Sequence, residues 1–135
     1  MAQPQPSPTG IIHFPDGLPG FESLRQFVLL QEEELLPIVF LVSLIEPKIC
    51  LPLAPIHQIR SDYQLRLTED DRRILGLPAE VIPGFNVLCM AVLNLGDGTQ
   101  RPSANLLAPI VINPANCTAK QIIQIDSPYS TATEV

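Results

Sequence analysis

The chain has no tryptophan, only two histidines, and aromatic residues make up 5% of its 135 positions. Base-stacking platforms for single-stranded nucleic acid are therefore scarce. Cationic residues are few as well: eight Lys and Arg stand against fourteen Asp and Glu, a formal charge of −6. Phosphate contacts need the opposite balance, so direct nucleic-acid binding is not expected. The three cysteines, Cys50, Cys89 and Cys117, are odd in number and form no C-x-x-C, which indicates neither a disulfide framework nor a zinc ribbon. No apolar run approaches the ~18 residues of a membrane helix. Residues 1–8 hold no basic residue and no apolar h-region, so no secretory signal is expected and a cytoplasmic protein is the plain reading.

Catalytic signatures are also missing. Nucleophilic catalysis needs a base beside the nucleophile, and neither His13 nor His57 stands in a nucleophile elbow or beside a glycine-rich loop. No H-x-H, H-x-x-x-H or H-E-x-x-H spacing occurs, so no metal is expected. Gly96-Asp97-Gly98 has no following lysine and opens no helix, which makes it a hairpin turn and not a phosphate loop. No catalytic residue and no cofactor is assigned.

Against these gaps stand 46% apolar residues and fifteen prolines. The prolines fall within or beside apolar runs, which disfavours long helices. Strands are predicted over residues 10–14, 26–31, 38–44, 48–53, 63–67, 86–94, 105–113 and 117–126, separated by turn signals. Residues 26–31 and 86–94 are apolar without interruption, whereas residues 63–67 alternate with period two. Pro52 and Pro55 should place their strand at a sheet edge or end it there. One helix is convincing: Thr68 as N-cap, acids in its first turn, Gly76 as its stop. The pattern predicts a mainly β fold, a small antiparallel, partly open β-barrel with one or two short helices. Residues 1–9 read as a flexible Pro-rich tail, 10–129 as a single domain, and 130–135 as a C-terminal tail.

Two segments exceed generic strand and turn composition. Phe14-Pro15-Asp16-Gly17-Leu18-Pro19-Gly20-Phe21-Glu22 is a rigid turn expected to expose Leu18 and to bury or present Phe21. In Ser103-Ala104-Asn105-Leu106-Leu107-Ala108-Pro109-Ile110-Val111-Ile112-Asn113-Pro114, an apolar strand is bracketed by asparagines, and Pro109 removes a ladder donor midway. A bend or bulge where the strand changes partner follows. As a pair, in this order and separation, these motifs resemble the FliW family of flagellar assembly factors. Asp62-Tyr63, Ala119-Lys120-Gln121-Ile122-Ile123 and Ser127-Pro128-Tyr129 extend the likeness over residues 10–129.

The resemblance implies a non-enzymatic, β-barrel-like cytoplasmic protein that binds newly made flagellin. Free of flagellin, such a protein binds CsrA, the small basic RNA-binding regulator that represses flagellin translation, and antagonises it allosterically. A binding role places candidate contacts at Leu18, Pro19, Phe21 and Glu22 in the turn and at Asn105, Pro109 and Asn113 on the strand. Glu32, Glu33, Glu34, Glu69, Asp70 and Asp71 are the candidates for attracting a basic partner. The resemblance also implies an additional N-terminal strand, for which residues 1–9 are short and Pro-rich. A small-molecule-binding β-barrel is the alternative reading.

Overall fold

The computed structural model describes residues 10–135. Eight strands form among them: β1 (Ile12–His13), β2 (Gln26–Gln31), β3 (Val39–Ser43), β4 (Cys50–Pro55), β5 (Leu88–Asn94), β6 (Ser103–Asn113), β7 (Thr118–Gln121) and β8 (Thr133–Glu134). Two short α-helices, α1 (Ile56–Ile59) and α2 (Glu69–Leu75), and a 3-10 turn at Glu33–Leu35 complete the regular elements. The chain thus folds as the mainly β barrel with short helices that its composition indicated. The ring is closed where a partly open one was expected: neighbours run β1-β2-β3-β4-β5-β6-β7 and β7 returns to β1. That last contact, His13 with Thr118, is the one parallel pairing in an otherwise antiparallel ring.

The barrel interior is filled by side chains. Phe14, Phe27, Leu41, Leu53, Ile110 and Ile112 are fully buried there, and Phe14 meets Phe27 edge to face at 5.0 Å. A second apolar cluster lies outside the ring, against the outer face of β5 and β6. Cys89, Ala91, Leu106 and Val111 from the strands, with Val87 just before β5, pack there with Ile56, Tyr63, Leu75 and Ile122. β5 and β6 are consequently buried on both faces, which is why residues 86–94 read as apolar without alternation. Burial also pushes the Cys89 thiol up to about 12, so this cysteine is an inert packing residue.

The Pro109 expectation holds. Between Met90↔Ile110 and Val92↔Asn105, a single β5 residue, Ala91, stands against four residues of β6. Asn105 Oδ1 accepts the amides of Leu107 and Ala108, each at 3.0 Å, and so holds the bulge. The displaced carbonyls of Leu107 and Pro109 are taken by Gln124 N and Ile122 N. The bulged stretch has therefore changed partner, from β5 to the residues that follow β7.

Several expectations need correction. Residues 63–67 form no strand, although their burial alternates as predicted. Side chains replace the ladder: Gln64 N donates to Tyr129 Oη, Arg66 N to Gln124 Oε1, and Gln124 Nε2 to Arg66 O. The strand foreseen over 117–126 stops at Gln121, because it must follow the bulge in β6. β4 lies between β3 and β5, not at an edge; its pairing with β5 begins at Leu53, one residue past Pro52, where an amide would first be needed. Residues 130–135 include β8, whose Thr133 and Glu134 pair with Ala104 and Ser103. The expectations for residues 1–9, tail or altered N-terminal strand, lie outside the described residues.

Candidate functional site

The two motif segments prove to be architectural at several positions. In the turn, Gly17 adopts φ +65°, and a Cβ there would lie 2.5 Å from Glu22 O. Leu18 and Phe21 then exchange both backbone hydrogen bonds. Leu18 was expected outside, yet it is 3% exposed and belongs to the barrel core with Phe14 and Phe27, because the tight bridge to Phe21 turns the chain back on itself. Pro19, Phe21 and Glu22 face solvent, Phe21 with 45% of its surface exposed.

On β6, Pro109 is buried within the bulge and Asn105 holds it. Asn113 is buried too, donating Nδ2 to Leu75 O at 2.8 Å and accepting Ala115 N on Oδ1. Asn116 Nδ2 reaches the same Leu75 carbonyl at 3.1 Å. Asn113 at the end of β6 and Asn116 in the β6–β7 connection thereby satisfy the carboxyl end of α2, whose last carbonyls have no intrahelical donor. The structure does not bring the turn residues and the strand asparagines into one surface patch.

The acidic candidates divide. Glu32, Glu33 and Glu34 are exposed around the 3-10 turn between β2 and β3. Glu69 is exposed, and Asp70 is ion-paired with Arg73 on the surface. Asp71, expected as a solvated steering charge, is instead internal. Its carboxylate closes a capping box with Thr68 and takes a 2.7 Å hydrogen bond from Lys120 Nζ on β7. Burial alone would raise the Asp71 carboxyl; the hydrogen bonds from Lys120 and Thr68 outweigh it and hold the group below its ordinary value.

A folded-state pKa below the unfolded one stabilises the fold above the unfolded value, near 3.9. That contribution is lost as pH falls through the depressed folded value. Asp71→Asn should therefore cost about 1–2 kcal/mol at pH 7, a cap-sized loss. The gap to wild type should narrow in thermal melts as the pH is taken below about 3.9. A gap independent of pH would remove the charge from the explanation.

Strand registers reveal a surface that the motifs do not mark. Directly opposed residues of antiparallel strands share a face. Phe27, Leu41 and Leu53 face the barrel interior, so the alternate positions form the outer face of β2, β3 and β4. These are the cross-strand rows Val28–Val42–Cys50 and Leu30–Phe40–Pro52. No charged side chain interrupts either row. Leu30 is 52% exposed, Cys50 is exposed, and the others are half-buried. Leu35 and Leu36 extend the patch at one end, beside Glu32, Glu33 and Glu34; Leu44 and Ile45 extend it at the other, beside Glu46.

On the β5–β6 side the equivalent outer face is roofed by residues 56–81 and 122–129, whereas here no described element covers it. An uninterrupted apolar face with an acidic rim, on rigid strands, is suited to binding another protein. The available signal was the continuous apolar character of residues 26–31, which signals two buried faces where only the barrel face is covered.

His13 lies on β1, and His57 on α1 bonds Tyr63 O through Nε2 at 2.9 Å. Among the described residues, no group of three or more His, Cys, Asp and Glu is placed to hold a metal.

Comparison with known proteins agrees with the architecture. A family model described as FliW protein matches residues 2–135. The flagellar assembly factor FliW of Pseudothermotoga lettingae is 38% identical over 121 residues, covering 89% of this chain and 74% of that one. Its counterpart in Thermosipho africanus is 35% identical over 114 residues, covering 84% and 76%. A crystal structure of a flagellar assembly factor FliW superposes with a TM-score of 0.83 at 31% identity, covering 92% of this chain and 84% of that one.

Proposed function

The chain belongs to the FliW family of flagellar assembly factors, and from that premise we propose that it binds flagellin and, when free of it, a CsrA-type RNA-binding regulator. Binding the regulator lowers its affinity for RNA and relieves repression of flagellin translation. By linkage, RNA weakens the regulator's affinity for this protein by the same factor. The role is stoichiometric, cytoplasmic and non-enzymatic.

The observation that carries this reading is the outer face of β2–β3–β4, apolar across three strands and bordered by Glu32, Glu33, Glu34 and Glu46. Such a face excludes water from a partner's apolar ridge. Its rim attracts a basic protein and repels that protein's RNA. A small-molecule barrel has less support: the interior is occupied by Phe14, Phe27, Leu41 and their neighbours.

The test mixes the purified protein with flagellin and with the regulator, separately and together, on a sizing column. Co-elution with each is expected, and elution with neither overturns the reading. Leu30→Arg places a charge on the β2 side of the face, beside Phe40, without touching the core. It should weaken regulator binding about 100-fold, or about 2.7 kcal/mol. Its melting temperature should stay close to wild type, as for surface changes generally. Reversing Glu32, Glu33 and Glu34 to lysine should slow association chiefly at low salt. Unchanged affinity in Leu30→Arg would move the contact surface elsewhere.

A further inference from the structure

Residues 63–67 line a cleft of about 460 Å³ together with Ala79, Val81 and Pro83. Three of the four backbone groups that Gln64 and Arg66 turn to one side are satisfied. The amides of Gln64 and Arg66 and the Arg66 carbonyl are bonded to Tyr129 and Gln124. The backbone groups of Leu65, which alternate to the other side, and the Leu67 amide have no hydrogen-bond partner among the described residues. On that second side Tyr63 O and Leu67 O are taken by His57 and Arg72, so the open stretch is the short one between them, three backbone groups at Leu65 and Leu67 to which an added strand could bond.

The charge in the cleft is unusual for this chain. Arg66, Arg72 and His57 line it, and no carboxylate does; Glu69 and Asp70 line the neighbouring hollow instead. The ion pairs among the described residues use Arg60, Arg73, Arg101 and Lys120, leaving Arg66 and Arg72 without a carboxylate partner in a chain with six excess negative charges. Arg72 is aimed by a 3.0 Å hydrogen bond to Leu67 O, which engages one terminal nitrogen and leaves other donors of the guanidinium fork. The walls are held before any ligand arrives. Gln124 grips Arg66 from both backbone groups, Tyr63 Oη donates to Leu106 O at 2.6 Å, and the Tyr63 ring stacks on Tyr129. Preorganisation of this kind reduces the ordering cost of binding.

We propose that this cleft is a docking groove for an extended acidic segment of a partner polypeptide, which would add along the open edge at Leu65–Leu67 and set a carboxylate on Arg66 and Arg72. The apolar lining from Leu65, Leu67 and Val81 accepts the alternate side chains of such a segment. The groove is separate from the β2–β3–β4 face, and the inference stands without the reading given for that face.

The test titrates the isotopically labelled full chain with pooled, end-capped pentapeptides that alternate apolar residues with Asp or Glu, followed by amide NMR. Parallel titrations use the same peptides with Asn and Gln, and hexanoate as a free apolar carboxylate. The acidic peptides are expected to shift the amides of Leu65, Arg66, Leu67 and Val81. Arg66→Glu should weaken the effect at least tenfold, and Arg66→Gln by a smaller factor. The Arg66 side chain is exposed and makes no ion pair or hydrogen bond among the described residues, so both variants should keep the wild-type spectrum elsewhere. No shift at millimolar acidic peptide, equal shifts with the Asn/Gln peptides, or retention in Arg66→Glu would each overturn the proposal. Hexanoate acting as well as the peptides would overturn the edge-pairing geometry.

Discussion

Replacing Phe27 by alanine is expected to remove about 3–5 kcal/mol of stability. Phe27 is fully buried in the barrel, opposite Ser43 on β3 and Ile12 on β1, with its ring against Phe14. Three losses combine. The apolar ring no longer leaves water on folding, the edge-to-face contact disappears, and a cavity opens that a closed ring of strands cannot readily collapse. A domain of this size has only about 5–15 kcal/mol to lose. For 135 residues the melting temperature should fall by about 10–15 °C. Urea unfolding with an unchanged m-value measures the difference. A loss below about 1 kcal/mol would mean that the barrel repacks around the gap. Leu30→Arg, three residues along the same strand but on the outer face, should leave the midpoint nearly in place. The contrast between the two variants separates barrel integrity from partner binding.

The second large effect belongs to Gln124. Its side chain is 2% exposed, and its carboxamide bonds both backbone groups of Arg66, at 2.7 and 3.0 Å, as a neighbouring strand would. Gln124→Ala leaves that amide and carbonyl without partners and opens a small void, at a cost of about 2–4 kcal/mol. Gln124→Glu keeps the acceptor but removes the donor, and it buries a charge, so it should rescue little. Hydrogen exchange identifies the mechanism. The Arg66 amide should exchange much faster in Gln124→Ala, while Leu41 and Ile112 amides change only as far as global stability does. Uniform acceleration across the chain would assign Gln124 a general packing role instead.

These two residues mark how far the sequence could be read. Phe27 lies in a run of apolar residues whose strand character is local and was legible. The same holds for α2, since Thr68, Asp71 and Gly76 act within one or two helical turns of each other. The β6 bulge was legible because Pro109 cannot donate and Asn105 can bond its own backbone two and three residues on. Residues 63–67 were misread because the groups that satisfy their backbone come from residues 124 and 129, about sixty positions away. Period-two alternation correctly signalled an extended chain with one buried side, but it carries no information about what pairs with it. Leu18 was misread for a related reason. Turn composition specifies the bend and not the surface over which it closes.

For the site, the separation is sharper. Acidity, the absence of metal and nucleophile spacings, and the paired turn and strand motifs were properties of the sequence alone, and they indicated a protein that works by binding. Local chemistry determines turns, caps and strand character, because the atoms involved are a few residues apart. Which apolar faces are roofed is a tertiary decision. β2–β4 and β5–β6 carry similar apolar patterns, yet only the latter lie beneath residues 56–81 and 122–129. The hydrophobic effect is non-directional and rewards any covering surface equally, so the pattern announces that a face wants cover without naming what supplies it. Chain closure around the ring, the capture of Asp71 by Lys120, and the open edge beside Arg66 and Arg72 were decided by the same long-range packing.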